Sequence, residues 1–132
     1  MKKQLEDNIR ELSEIFAYNV NALRNKPLND MTAEEEQKMV TGTYRAYELE
    51  PALKTELNIS EDADFYGELI KFAKKEGSDA TKAMEGVLPF HRAFMENLRN
   101  MGIPKGTCQT GAITEEALEK TRQQFDEIGR AH

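Results

Sequence analysis

His91 and Cys108 are the two side chains in this sequence best suited to nucleophilic catalysis. A cysteine becomes a strong nucleophile when a histidine base lies beside it and a third group orients that base. One cysteine and one interior histidine are the smallest set for this chemistry, and Lys105 is the cation next to Cys108 in sequence. No orienting group can be named, so we assign no catalytic residues. A small enzyme that uses Cys108 and His91 is the third of three hypotheses.

Segment 102–113 contains three glycines, and two of them, Gly106 and Gly111, have the spacing of a phosphate-binding loop. Such a loop needs a lysine and then a serine or threonine directly after the second glycine, to hold the phosphates and the magnesium ion. The sequence has Ala112 and Ile113 at these positions. An ordinary connection between helices is the better interpretation, and we assign no cofactor and no cofactor-binding residues.

A metal site in a helical bundle requires several converging ligands, which Glu-x-x-His pairs often supply. Glu85 and Glu96 do not lie at ligand spacing on the helix face of His91. A tetrahedral zinc site made from His91 and Cys108 would need further carboxylate ligands that the sequence does not identify. No metal-binding residues are predicted, and His91 is interpreted as a partly buried histidine that bonds to a neighbour.

Methionine and tyrosine side chains could instead line a small-molecule pocket. Methionine repacks easily, and tyrosine combines an apolar ring with a polar hydroxyl group. The candidate pocket residues are His91, Met84, Met95, Tyr44 and Tyr47. The competing interpretation is that these residues fill the core, which is the commoner role of methionine at helical spacing.

Residues 3–25 are predicted to form a long amphipathic first helix. Its apolar residues recur at steps of four and three, as in a coiled coil. This first-helix seam consists of Leu5, Ile9, Leu12, Phe16, Val20 and Leu23. Three heptads are short for an independent coiled coil, so packing within the chain is favoured. An interface with a partner or with a second copy is the alternative.

Residues 78–101 have the longest regular apolar pattern and predict a central helix on which the other helices pack. Ser78 and Asp79 favour a helix start, because a hydroxyl can cap the first N–H groups and a carboxylate suits the positive end of the helix. Gly102 and Pro104 favour a stop after residue 101.

Pro89 interrupts this central pattern. It has no N–H for the carbonyl of Glu85, and its ring crowds that carbonyl. We therefore expect a central helix that is kinked near Pro89, or two segments that join between Gly86 and Pro89. His91 follows this irregularity directly.

Local signals predict the remaining helices. Thr32 and Glu35 form a capping box, Ser60 precedes a run of acidic residues, and Thr114 can cap the last helix. Pro51 is expected to stop or kink the second helix and to begin a short one. No alternating pattern predicts a strand. The predicted fold class is all-α, a compact bundle of about five roughly antiparallel helices in a single domain, 1–132.

The composition narrows the classes of function. The 132 residues carry a formal net charge of −6, which argues against nucleic acid as a partner, because phosphate binding needs a basic face. A single cysteine fits a reducing compartment, and no segment approaches the roughly 20 apolar residues of a membrane span. Charged residues in segment 1–10 argue against a signal peptide, so we expect a cytoplasmic protein without a membrane association.

The first functional hypothesis is a non-enzymatic protein-interaction or regulatory module, because no catalytic set is found and the first-helix seam is regular. The alternative is a small-molecule-binding or sensing domain with a pocket near His91. The partners considered are therefore another protein, a second copy of the chain or a small molecule. An interaction module should expose apolar residues on the first or last helix, whereas a pocket protein should leave a void near Pro89.

Overall fold

The structure is a computed structural model that describes residues 1–103 and 114–131, with side chains up to Ile128 in the second range. These residues form α-helices and one short 3-10 turn, and no strand occurs among them, so the predicted all-α fold class is confirmed. The helices are α1 (Lys3–Asn25), α2 (Ala33–Leu57), α3 (Phe65–Lys75), α4 (Lys82–Glu85), α5 (Leu88–Asn100) and α6 (Glu115–Ala131). The 3-10 turn spans Leu28–Asp30, between α1 and α2.

Side-chain caps begin three of the helices. At α2, the Thr32 hydroxyl accepts from the Glu35 N–H and the Glu35 carboxylate accepts from the Thr32 N–H, both at 3.1 Å, which confirms the capping box. At α6, the Thr114 hydroxyl accepts from the Ala117 N–H at 3.3 Å, as predicted. The cap of α3 is Asp64 instead of Ser60. Ser60 accepts from the N–H of Asp62, so it forms a turn that precedes the helix.

Left-handed residues end α2, α3 and α5. Asn58 has φ 55°, Gly77 has φ 70° and Gly102 has φ 81°. In each case a backbone N–H just beyond the helix bonds to a carbonyl of its last turn, as when Ser78 donates to Ala73 at 2.8 Å. The predicted stop at Gly102 is confirmed.

Pro51 lies inside α2, which continues through it to Leu57. The sequence predicted a stop or a kink and a new short helix at this point. Pro51 leaves the carbonyl of Tyr47 without its helical donor. Both residues lie on the exposed side of the helix, so water can solvate that carbonyl and the helix continues.

The predicted central helix is two helices, α4 and α5, which are separated at Gly86 and Val87. The structure therefore has the two-segment alternative and no continuous helix that kinks at Pro89. Pro89 occupies the first turn of α5, where a residue needs no N–H donor and where the proline ring favours helical geometry. Ser78 caps a turn before α4, since its hydroxyl accepts from the N–H of Ala80.

The described residues group into two units, and α1 contributes to both. Unit 1 contains Met1–Asn19 and Thr32–Gly86, and unit 2 contains Val20–Met31 and the described part of Val87–His132. The buried apolar residues of unit 1 are Leu5, Ile9, Leu12, Phe16, Ala17, Leu49, Leu53, Phe65, Leu69, Ala73, Ala80 and Met84. Those of unit 2 are Val20, Val87, Leu88, Phe90, Phe94, Leu98, Ala117 and Leu118.

Candidate functional site

The first-helix seam is mostly core. Five of its six residues are buried: Leu5, Ile9, Leu12, Phe16 and Val20. Leu23 is half-buried. The five buried side chains pack inside the chain, which is the arrangement that the short length of the seam favoured, and an interface through the seam stays a prediction.

Polar and charged contacts hold one side of α2 against the part of α1 that ends at Asn19. Arg45 donates two hydrogen bonds to the Glu11 carboxylate, at 2.7 and 3.0 Å, and the guanidinium lowers the pKa of Glu11. The Asn19 amide donates to the Thr43 hydroxyl at 3.4 Å. Leu49 and Leu53 lie on the same side and are buried. One face of α2 therefore packs against α1 within unit 1.

The opposite face of α2 carries a second apolar row. Val40 is 48% exposed, Tyr44 is 66% exposed and Tyr47 is 41% exposed. Pro51 continues the row and is also exposed. At about 100° per residue these positions fall within roughly 60° of the helix surface, and Leu49 lies about 180° from Val40. We call Val40, Tyr44, Tyr47 and Pro51 the Tyr44 stripe.

The Tyr44 stripe has the make-up of a small interface. The rings of Tyr44 and Tyr47 meet edge to face, with centroids 6.3 Å apart. Val40, Tyr44 and Tyr47 expose roughly 300 Å² together, if a tyrosine presents about 200 Å², and this area is at the lower end of the range for the largest apolar patch of a typical monomer, which is often functional. Exposed polar side chains, including Thr41 and Glu48, lie beside it. Aromatic residues inside a polar rim are typical of protein interfaces.

The structure places the five candidate pocket residues in different settings. Tyr44 and Tyr47 lie on the exposed face of α2, so they do not enclose a cavity there. Met84 is fully buried in α4, and its N–H donates to the Ser13 hydroxyl at 3.1 Å. His91 and Met95 are half-buried on α5, one turn apart. The pocket near His91 stays a prediction.

Burial controls the chemistry of His91. Loss of hydration and, to a smaller extent, the charge of Arg92 lower the pKa of His91 to about 4. The imidazole is therefore neutral at pH 7, since protonation in this setting would leave a poorly hydrated cation. A neutral imidazole can accept or donate a hydrogen bond, which agrees with an ordinary structural role.

The proposed nucleophile cannot be placed. Cys108, Lys105 and the glycines at positions 106 and 111 lie outside the described residues. Among the residues that the structure describes, no group of three His, Cys, Asp or Glu side chains could hold a metal ion. None of the described helices is long and apolar enough to cross a membrane.

Sequence reasoning assigned Tyr44 and Tyr47 to a pocket and missed their place in a surface stripe with Val40 and Pro51. A signal was present, because these four residues follow the same four-three-four spacing as a helix seam. Helix α2 also has apolar residues on its other face, such as Leu49 and Leu53, so the pattern alone does not show which row is buried.

Comparisons with protein-family models, with curated proteins and with solved structures gave no match to this chain.

Proposed function

We propose that this protein is a non-enzymatic interaction module that binds a protein partner through the Tyr44 stripe. The observation that carries the proposal is the second apolar row of α2, which faces solvent while the first row packs on unit 1. A helix that only completed a core would need one apolar face. The exposed row therefore supports a role outside the folding of the chain.

The spacing of the stripe indicates the chemistry of the partner. Apolar residues at steps of four, three and four fit along a second helix, since each step returns to the same side of α2. The complementary surface would be the apolar face of an amphipathic helix. The small area of the stripe favours a reversible complex over a permanent one.

The test uses a photoreactive phenylalanine derivative at position 44, in the full chain inside cells that produce it. We expect irradiation to give a discrete cross-linked product, because Tyr44 is the most exposed member of the stripe. The same derivative at Gln123, an exposed position on α6, is the matched control and should not give that product. Tyr47→Ser should abolish the product at position 44 and leave the helical circular dichroism spectrum unchanged.

The mass of the cross-linked product distinguishes the two kinds of partner. Twice the mass of the chain indicates a second copy, and any other mass indicates a different protein. With that partner purified, Tyr44→Ser should weaken binding by about 30-fold, as expected for an aromatic hot spot worth about 2 kcal/mol. Equal cross-linking at positions 44 and 123, or none at either, would reject the proposal.

A further inference from the structure

A cleft of about 520 Å³ opens between the end of α2 and the outer face of α3. Its lining residues are Leu57, Ile59, Glu68, Lys71, Phe72, Lys74 and Lys75. All of them belong to unit 1. The volume lies within the range of roughly 300 to 1,000 Å³ that is typical of small-molecule sites.

The floor of the cleft is apolar. Leu57, Ile59 and Phe72 line it and are each only half-buried, so part of their apolar surface stays in contact with water. Asn58 between the first two adopts a left-handed conformation, which turns the chain at the end of α2 and brings Ile59 to the same cleft as Leu57. A ligand with a hydrocarbon body would remove this surface from water.

The rim of the cleft carries three lysines, and one of them has no charged partner among residues 1–103 and 114–128. The Nζ atom of Lys71 lies 3.7 Å from Oε1 of Glu68, and Nζ of Lys74 lies 3.1 Å from Oε1 of Glu85. The side-chain ammonium group of Lys75 makes no ion pair or hydrogen bond with any residue in the described part of the chain. Within the described part of the chain, Glu68 and Glu85 therefore balance two of the three rim lysines, and the ammonium group of Lys75 is not balanced.

We propose that this cleft binds a small amphiphilic carboxylate, with its hydrocarbon body on the floor formed by Leu57, Ile59 and Phe72 and its anionic group at Lys75. The single unbalanced cation argues for one negative charge on the ligand. The apolar floor argues against a strongly polar anion such as inorganic phosphate.

The electrostatic contribution should be modest. Lys75 is exposed to solvent, where an ion pair is worth less than about 1 kcal/mol, and it lies in the last turn of α3, beside the negative end of the helix dipole. Most of the affinity should therefore come from the hydrocarbon body. Added salt should weaken only the contribution of Lys75 to the binding free energy.

The test compares decanoate with decanol, which has the same hydrocarbon chain and no charge, by calorimetric titration of the full-length protein. We expect decanoate to bind more tightly than decanol. Lys75→Gln should weaken decanoate about three- to fivefold, the effect of an exposed ion pair, and should leave decanol unchanged. Phe72→Ser should weaken both probes, because it removes part of the apolar floor.

Lys120→Gln is the matched control, since it removes one exposed positive charge on α6 at a residue that does not line the cleft, and it should leave decanoate binding unchanged. Equal affinities for decanoate and decanol, or equal effects of the two lysine variants, would overturn the assignment of the anionic group to Lys75. Absence of binding by either probe would overturn the site itself. Binding to vesicles of anionic phospholipid without binding of decanoate would overturn the assignment to a free ligand.

Discussion

A histidine that stays neutral in the folded protein makes stability depend on pH. The unfolded chain takes up a proton near pH 6.5, whereas the pKa of His91 in the folded protein is about 4. Between these values the unfolded state binds more protons, so the stability falls as the pH falls. The contribution of His91 is fully present above pH 6.5 and is lost by about pH 4.

We expect this histidine to cost about 1 to 3 kcal/mol of unfolding free energy between pH 7 and pH 4.5, since a shift of one pKa unit corresponds to about 1.4 kcal/mol and the ring keeps some contact with water. Urea unfolding of the wild-type protein and of His91→Gln at both pH values measures this loss of unfolding free energy. The variant should lose less stability than the wild type. Parallel losses in the two proteins would show that His91 is not responsible.

Arg122 joins α6 to the end of α1. Its side chain is 14% exposed, and it donates to the backbone carbonyls of Leu23, Arg24 and Lys26 as well as to the Glu115 carboxylate. The last carbonyls of a helix lack partners within that helix and carry its negative dipole charge. A guanidinium group supplies both the donors and the positive charge that these carbonyls need.

Arg122→Ala should therefore lower the unfolding free energy by about 3 kcal/mol, because it leaves several carbonyls and a carboxylate without donors. Arg122→Lys should recover only part of the loss, since an ammonium group cannot reach the same acceptors in a fork. Thermal and urea unfolding measure both effects. Lys120→Ala on the same helix is the control, and an equal loss in this control would contradict the assigned role.

Gly42 sets the distance between α1 and α2. A Cβ atom at this position would lie 3.0 Å from Cγ2 of Ile15, which is tighter than ordinary contact. Alanine is better than glycine in a helix by about 1 kcal/mol, so the close approach and the helix propensity have opposite effects. The branched Ile15 side chain is stiff, because two groups on its Cβ restrict its rotamers.

We expect Gly42→Ala to destabilise the wild-type protein by about 1 kcal/mol, because Ile15 must move. In an Ile15→Ala background the same change should stabilise the protein by up to about 1 kcal/mol, since only the propensity remains. A double-mutant cycle by urea unfolding gives both values. The same sign in both backgrounds would show that Ile15 is not the limiting neighbour.

The two prolines of α2 and α5 show what local sequence can predict about an element. Both were recognised as interruptions, yet Pro51 is inside a helix and Pro89 begins one. Pro51 lies on the exposed side of α2, where water can solvate the carbonyl of Tyr47, whereas Pro89 lies in the first turn of α5, where no N–H donor is needed. The exposure of a helix face and the point where a helix begins depend on packing, so the identity of the proline does not reveal them.

At the scale of the whole molecule, the sequence predicted the all-α class, the bounds of α1, the capping box of α2 and the burial of most of the first-helix seam. These features arise from periodicity and from caps, which are local in sequence. The Tyr44 stripe was not recognised, because its exposure depends on which side of α2 meets α1. The prediction of a single domain, 1–132, rests on chain length and stays a prediction. The described residues group into two compact units.

The hydrogen bonds of Arg122 join two parts of the chain that are synthesised at different times. Arg122 and Leu23 are 99 residues apart, and a ribosome makes the chain from its amino end. The end of α1 is therefore synthesised long before the side chain that caps it. Until Arg122 has been synthesised, water must solvate the carbonyls at the end of α1. These bonds can form only after Arg122 has been synthesised, so α6 completes a part of the protein that was synthesised first.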